Sequence, residues 1–217
     1  IPHQDIWPQL DIADTTPFKA ISKTAQEDTV QSLMEEILDK MVPDSTLAAT
    51  STSNYYWLAT PFGDLAPDFA LTARKHKIEL EHNGGKVLLQ QFVVAIGEVK
   101  KPREPIDADR FLGQVACYLK NLAHHQPLRN SLYAFLTNYH AIAFFKAIIE
   151  EGELRILYTR PCDFAPKEST TPTIGMHLLA GLLSMENLDL PGMISTEPLI
   201  LTEYLGGGVT SVVTRRI

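Results

Sequence analysis

Three segments of the chain repeat apolar side chains at the spacing of an α-helix. The first runs from about residue 26 to residue 41, and Pro43 would end it. The second runs from about residue 107 to residue 124, with Asp107 as the expected N-cap. The third, from about residue 174 to residue 185, is strongly apolar. The pattern therefore predicts three helices.

Other segments are rich in β-branched and aromatic residues, which is typical of strands. Two of them, roughly 68–81 and 86–100, flank Asn83-Gly84, a dipeptide that favours a hairpin turn because both residues tolerate positive φ. By contrast, the small polar residues from Asp44 to Asn54 predict a loop. Further strands are predicted at 131–138, at 141–159 as a hairpin that turns near residues 150–153, and in "PLILTEYL" at 198–205.

The order of these elements is helix, about three strands, helix, strand, hairpin and helix. It predicts an α/β domain in which helices flank a central mixed β-sheet. We expect an N-terminal arm at residues 1–25, one domain at residues 26–190 and a C-terminal extension at residues 191–217. The chain begins Ile1-Pro2-His3 without a methionine, which we interpret as a processed or excised segment.

The amino-acid composition limits the classes of protein to which the chain can belong. A hydrophobic content of 45% with 21% charged residues is ordinary for a soluble globular protein. No run approaches the roughly 18 apolar residues of a membrane span. Cys117 and Cys162 form neither a disulfide framework nor a zinc spacing, and we expect both to be buried thiols. The net charge of −7 means that any site for a polyanion must be local.

The strand "VVAIGEVKKP", residues 93–102, is apolar until it ends at Glu98-Val99-Lys100. Glu98 and Lys100 share a face because side chains alternate along a strand. If the hairpin turns at Asn83-Gly84, Asp68 on its other arm lies opposite residues 98–100. Two carboxylates about 5 Å apart repel each other unless a cation separates them, and Mg²⁺ or Mn²⁺ would fit. Lys100 would then orient an attacking water, as phosphodiester hydrolysis requires.

Each part of this constellation also has an ordinary interpretation. A Glu-x-Lys triplet is common at the end of a strand, and Pro67-Asp68 is a routine turn dipeptide. Their placement on two arms of one predicted hairpin, at the same end, favours the metal site.

Pro67-Asp68 followed by Glu98-Val99-Lys100 resembles the PD-(D/E)xK signature of restriction-endonuclease-like nucleases. Gln114 and Tyr118, one turn apart on the second helix, are similar to the Q-x-x-x-Y helix of several branches of that superfamily. "SLYAFLTNYHAIAFFK", residues 131–146, resembles the strand and hairpin that usually follow. The resemblance covers about residues 26–160 and is greatest to the nuclease-like domains of Crinkler-type effectors and of fungal proteins.

This resemblance implies a restriction-endonuclease-like core and a Mg²⁺-dependent deoxyribonuclease, an endonuclease used as an effector or toxin domain. Asp68 and Glu98 would bind Mg²⁺ or Mn²⁺, with the Val99 carbonyl as a further ligand. Lys100 would orient the attacking water, and Gln114 would hold that water or a phosphate. A nuclear location, in the cell itself or in a host cell after secretion, follows from the resemblance alone. The alternative is an inactive nuclease-like adaptor or regulatory module attached to a kinase-like region.

Several other side chains lie near this site in the predicted arrangement. Tyr118 is expected to pack in the core. In the first helix Glu27 lies within the apolar stripe and Glu35 and Glu36 lie outside it, and none of the three is assigned a metal role. Two basic clusters on or beside the hairpin would either contact the phosphates of DNA or form an ordinary solvated face: Arg74, Lys75 and Lys77, and Lys101 with Arg103.

The C-terminal stretch "LGGGVTSVV", residues 205–213, fits the glycine-rich loop of protein kinases, whose backbone amides close over phosphates. A plain glycine linker is the alternative. If the loop interpretation holds, the parent chain carries a kinase-like domain. Because the residues stop at Ile217, before any strand for the ATP-binding lysine, we expect no working kinase within them.

Overall fold

Three α-helices separate runs of consecutive strands along the described part of the chain. The computed structural model describes residues 2, 9–12, 18–42, 45, 47–52, 55–56, 66–73, 79–82, 85–88, 90–126, 129–150, 153–166, 171–185, 201–207 and 212–216. Within these ranges the α-helices are α1 (Glu27–Lys40), α2 (Asp109–His125) and α3 (Ile174–Leu183), and a short 3₁₀ helix covers Gln90–Phe92. The strands are β1 (Leu47–Ser51), β2 (Tyr55–Tyr56), β3 (Phe69–Ala73), β4 (Glu79–His82), β5 (Gly85–Leu88), β6 (Val93–Val99), β7 (Ser131–Thr137), β8 (Ala141–Glu150), β9 (Glu153–Tyr158), β10 (Cys162–Asp163), β11 (Leu201–Gly207) and β12 (Val212–Arg216).

A seven-stranded mixed sheet forms the centre of the protein. Its strands lie in the order β1-β3-β6-β7-β8-β10, and β9 pairs with β8. Strands β6 and β7 run parallel, and the other pairs are antiparallel. Strands β2, β5 and β4 form a separate small sheet, and β11 pairs with β12. The predicted α/β class, with a central mixed sheet flanked by helices, is confirmed.

Each face of the central sheet carries its own hydrophobic core, because side chains alternate along every strand. One core lies under α1 and α3, and we refer to this side as the α1/α3 face. The other lies under α2, and we refer to it as the α2 face. On β7, for example, Phe135 points to the α1/α3 face, whereas Leu132 and Leu136 point to the α2 face.

A bulge in β6 decides which face its last residues occupy. Leu71 pairs with Ala95 and Thr72 pairs with Val93, so Val94 is an extra residue with no partner on β3. Val94 and Ala95 consequently both belong to the core of the α1/α3 face. One extra residue reverses the face of everything that follows it. Beyond the bulge Val99 faces α1, and the alternation turns Glu98 towards the α2 face.

The helices are short. Among the described residues the longest is α2, with 17 residues. None of the described helices combines the length and the apolar character needed to cross a membrane.

The prediction of one long hairpin was only partly right. Strands β4 and β5 pair in the register of a two-residue turn, with His82 opposite Gly85, while Asn83-Gly84 itself lies outside the described residues. However, β4 and β5 belong to the small sheet, and only β3 and β6 lie in the central one. Phe69 still pairs with Gly97, so the predicted approach of the two arms at this end is retained.

Three local predictions were wrong. The segment 44–54 was predicted as a loop, but it contains β1, which forms because β3 offers a partner along its edge. The N-cap of α2 is Ala108, without a side-chain cap, rather than Asp107. Cys117 lies exposed on α2, since its position falls outside the apolar stripe, whereas Cys162 is buried as expected.

Near the C-terminal end, β11 pairs antiparallel with β12, and residues 208–211 of the predicted glycine-rich loop lie outside the described residues. The strand predicted in "PLILTEYL" corresponds to β11. Gly206 and Gly207 therefore lie in a strand, opposite Val213 and Val212. A kinase-like role for this segment stays a prediction.

Gly97 leaves room for an aromatic ring directly beneath the strand that carries Glu98. A Cβ at this position would lie 2.7 Å from Cε1 and from Cε2 of Phe135. We expect Gly97→Ala to lower the free energy of unfolding by about 3 kcal/mol through overpacking. Gly113→Ala is the matched control, because no atom lies within 4 Å of a Cβ there and alanine is the better helix former, so it should add about 0.5–1 kcal/mol. Urea denaturation measures both, and equal stability of the two variants would contradict the packing argument.

Candidate functional site

The predicted site residues meet where β3 begins and β6 ends. Because Phe69 pairs with Gly97, Asp68 stands beside the end of β6. Asp68 Oδ2 accepts a hydrogen bond of 2.7 Å from the Val99 amide. Lys100 Nζ donates to Glu98 Oε1 at 2.6 Å, which places both side chains on one face of the strand. The structure thus brings together Asp68, Glu98 and Lys100, as their spacing predicted.

Lys100 is a buried cation surrounded by negative charge. Its side chain is 8% exposed, and Glu27 Oε1 lies 3.5 Å from Nζ, farther than the 2.6 Å of the bond to Glu98. The ring of Phe111 lies 5.2 Å from Nζ and adds a cation–π contact. Burial lowers the pKa of Lys100. The hydrogen bond to Glu98 and the surrounding carboxylates raise it by more, so the pKa of Lys100 lies above its ordinary value. Lys100 is therefore an ammonium at neutral pH and can donate hydrogen bonds.

The two carboxylates of the site are difficult to ionise together. Burial raises the pKa of Glu98 to about 7, the charge of Asp68 raises it as well, and Lys100 opposes both. Burial likewise raises the pKa of Asp68 to about 6, against the opposing effects of the Val99 amide and Lys100. Two acids with raised pKa values, held side by side, form a site that a cation would stabilise.

Glu98 has one carboxylate oxygen left for a further contact. It is 3% exposed, and its second oxygen, Oε2, is buried without a hydrogen-bond partner. A buried carboxylate oxygen in that state is costly. A divalent cation held between Glu98 and Asp68 would satisfy this oxygen and remove the repulsion between the two acids.

The backbone of β6 offers a third oxygen to such a cation. The amide and carbonyl of one strand residue point to the same side of the strand. The Val99 amide points at Asp68, and the following amide, that of Lys100, donates to Thr137 O on the opposite side. The Val99 carbonyl therefore lies on the Asp68 side of β6, as a ligand role would require.

The donors present suit magnesium or manganese better than zinc. Among the described residues, no group of three or more His, Cys, Asp or Glu side chains is arranged to hold a metal ion. Asp68 and Glu98, the two acids at the end of the sheet, would both offer oxygen donors. Mg²⁺ commonly binds through one or two carboxylates and keeps several waters, whereas structural zinc takes four nitrogen or sulfur ligands.

Helix α2 contributes a pair of polar side chains to the same end of the sheet. The Tyr118 hydroxyl donates to Ala66 O at 2.9 Å and lies 2.8 Å from Gln114 Nε2, which donates to it. Tyr118 is 1% exposed, so the prediction that it packs is confirmed, but it also holds the segment before Asp68. Burial, the charge of Glu98 and the nearness of its carboxylate raise the pKa of Tyr118 and keep the phenol neutral. Its one hydroxyl hydrogen goes to Ala66 O, so it does not satisfy Glu98 Oε2. A direct part for Gln114 in the chemistry stays a prediction.

Two residues near the site received no role from the sequence. The carboxylate of Glu27 approaches Lys100. Its sequence position gave a hint of this, since Glu27 is an acid within the apolar stripe of α1. Thr52 had none, because it falls in a segment that was predicted to be a loop. Its amide donates to Asp68 O at 2.9 Å, and its hydroxyl donates to Pro67 O.

The basic residues predicted to contact DNA are only partly described. Lys101 and Arg103 follow directly on the site, with Lys101 half-buried and Arg103 exposed. The Lys101 amide donates to Glu104 Oε2 at 3.3 Å, so this loop is tied to its own acidic residue. Contact with phosphate stays a prediction for both. Arg74, Lys75 and Lys77 lie outside the described residues.

The chain was compared with families, curated proteins and solved structures. No family model, curated protein or solved structure matches it. The site must therefore be interpreted from its own geometry.

Proposed function

We propose that the chain is a metal-dependent nuclease that hydrolyses phosphodiester bonds of DNA, with a site of the PD-(D/E)xK type. One observation carries the proposal. The buried Glu98 has an oxygen without a hydrogen-bond partner, beside a second carboxylate, Asp68, and within 2.6 Å of the Lys100 ammonium. Structural ion pairs do not require the second acid, whereas phosphodiester hydrolysis uses all three groups.

Each residue has a distinct part in the proposed reaction. Asp68 and Glu98 hold the divalent cation, together with the Val99 carbonyl. The cation, when bound, supplies Lewis-acid polarisation of the phosphate and neutralises its charge. Lys100 orients the attacking water through its N–H donors and stabilises the negative charge that develops on the phosphorus oxygens. Its burial strengthens this interaction because little solvent screens the ammonium.

Recognition of DNA would depend on local charge. The chain as a whole has a net charge of −7, which repels a polyanion. Lys101 and Arg103 follow the end of β6 and would contact phosphates on either side of the cleaved bond. A nuclear location and a kinase-like domain in the parent chain belong to the same proposal and rest on the resemblance described above.

A second candidate function is an inactive adaptor with the same fold. The observation that favours it is the low exposure of the site, where Glu98 and Lys100 are 3% and 6% exposed and bonded to each other. An adaptor would retain this buried pair as part of its structure without binding a cation. Calorimetry with Mn²⁺ separates the candidates, since the adaptor should give no heat of binding.

Cleavage of supercoiled plasmid tests the nuclease directly. We expect nicking in Mg²⁺ or Mn²⁺ and none in EDTA. Lys100→Met should slow nicking by about 10²-fold, because the variant keeps the length of the side chain but removes the charge and its N–H donors. Lys120→Met, an exposed lysine on α2, is the matched control and should cleave like the wild type. Equal cleavage by Lys100→Met and wild type, or cleavage that persists in EDTA, would rule the proposal out.

A further inference from the structure

Three consecutive carbonyls ahead of β3 are each held by a specific donor. Ala66 O accepts from the Tyr118 hydroxyl at 2.9 Å. Pro67 O accepts from the Thr52 hydroxyl. Asp68 O accepts from the Thr52 amide at 2.9 Å. Two of the three donors therefore come from one residue at the end of the edge strand β1.

The position of Thr52 explains why it can hold both carbonyls. The ladder between β1 and β3 ends with Ser51 opposite Phe69, and the Thr52 amide extends it by one bond to Asp68 O. Pro67 has no amide hydrogen, so it can enter a ladder only as an acceptor. The Thr52 hydroxyl supplies the donor that Pro67 O needs, and Thr52 is 4% exposed, so water does not readily replace it.

The same end of β1 is tied to α1. Gln31 Nε2 donates to Ser51 Oγ at 3.1 Å, and this places the last residues of β1 beside the helix that carries Glu27. The backbone of residues 66–68 is consequently held from β1 and from α2. Because the backbone is held at three points, the Asp68 carboxylate lies where it accepts a hydrogen bond from the Val99 amide.

We infer that Thr52 is a positioning residue for Asp68. The hydroxyl groups of Thr52 and Tyr118 together fix the backbone of residues 66–68, so that the Asp68 carboxylate faces Val99 and Glu98. The inference deepens the proposed function, on which its consequence for metal binding rests. The placement of Asp68 against Val99 does not depend on that function. Thr52 acts through Asp68 and touches neither the cation nor the substrate.

Thr50 shows that a buried threonine hydroxyl in β1 is not in itself a positioning group. It lies in β1, two residues before Thr52, and is 6% exposed, close to the 4% of Thr52. Its Oγ1, however, is buried without a hydrogen-bond partner. Thr50→Val should therefore remove nothing that the site uses, and it makes a matched control for Thr52→Val.

Two measurements on the metal-free and metal-loaded protein test the inference. The first is hydrogen exchange at the Val99 amide, followed by NMR, with the Ile96 amide of the same strand as an internal reference. The second is the dissociation constant for Mn²⁺ from calorimetry. In Thr52→Val we expect Val99 exchange to accelerate relative to Ile96 and the Mn²⁺ dissociation constant to rise about tenfold, as for other residues that orient a metal ligand.

The remaining variants separate positioning from a general loss of structure. Because Thr52→Ser keeps the hydroxyl, both measurements should stay within about twofold of the wild-type values. Tyr118→Phe, which loses the donor to Ala66 O, should shift them in the same direction as Thr52→Val. Unchanged Val99 exchange in Thr52→Val, or equal effects of Thr52→Val and Thr50→Val, would overturn the inference. If the wild type binds no Mn²⁺, the proposed function fails, and Thr52 is still judged on Val99 exchange.

Discussion

Asp68→Asn is expected to abolish metal-dependent cleavage of DNA and yet to produce a more stable protein in metal-free buffer at pH 7.5. The asparagine carbonyl oxygen can still accept the hydrogen bond from the Val99 amide. It carries no charge, however, so it neither repels Glu98 nor binds a divalent cation strongly. We expect the rate of plasmid nicking to fall by about 10³-fold, the scale for removing a group that organises transition-state charge.

The opposite signs of the two effects make this variant informative. Asp39→Asn is its control, since Asp39 is exposed on α1, and it should change neither cleavage nor the response to metal. Plasmid nicking and urea denaturation in EDTA provide the two readouts. Undiminished cleavage by Asp68→Asn would exclude Asp68 as a ligand. A loss of stability at pH 7.5 would show that Asp68 is instead a structural charge.

The second large effect is the pH dependence of stability in the absence of divalent cations. The pKa values of Asp68 and Glu98 are raised in the folded protein to about 6 and about 7. The folded state therefore holds more protons than the unfolded state between about pH 4 and pH 7. Because stability falls with pH wherever the folded state binds more protons, this pair lowers the free energy of unfolding across that window. At about 1.4 kcal/mol for each pKa unit, the two shifts together correspond to a loss of roughly 6 kcal/mol.

Comparison with Asp68→Asn isolates this effect from the titration of other groups. Glu36, for example, has a pKa lowered to about 2 by its bonds to Lys19 and Lys40, which acts in the opposite direction and at lower pH. The difference in free energy of unfolding between the variant and the wild type should be small at pH 4 and largest above pH 7. Denaturation series at several pH values measure it, and a difference that does not vary with pH would contradict the shifted pKa values.

Divalent cations should reverse the loss of stability. At a free Mn²⁺ concentration of 100 times the dissociation constant, binding to the folded state alone adds about 2.7 kcal/mol. The wild type should gain this stability at pH 7.5, whereas Asp68→Asn should gain little. The site would thus destabilise the metal-free protein and stabilise the metal-loaded one. Such a loss of stability is common where a site serves function.

Much of the fold follows from local periodicity. The apolar repeats predicted all three helices, and the extended segments predicted β7, β8 and β9, within a few residues of their observed bounds. The alternation of side chains also predicted that Glu98 and Lys100 share a face. A turn dipeptide at residues 83–84 was enough to place Asp68 opposite the end of β6, although the intervening strands β4 and β5 lie in another sheet.

Other features of the site depend on contacts between distant segments. No periodicity marks β1, whose sequence Leu-Ala-Ala-Thr-Ser forms a strand only because β3 is available as a partner. The bulge at Val94 reverses the alternation of β6, and it arises from the register between β3 and β6. The donors to residues 66–68 come from Thr52 and Tyr118, and they meet only in the folded chain.

The sequence by itself determined the helices, most strands of the central sheet and the approach of Asp68 to Glu98 and Lys100, because each follows from residue patterns along short segments and from one turn dipeptide. Only the tertiary structure decided which face those groups occupy, how deeply they are buried and which backbone donors hold Asp68. Burial and strand register are set by segments far apart in the chain, and the raised pKa values of Asp68 and Glu98 follow from that burial.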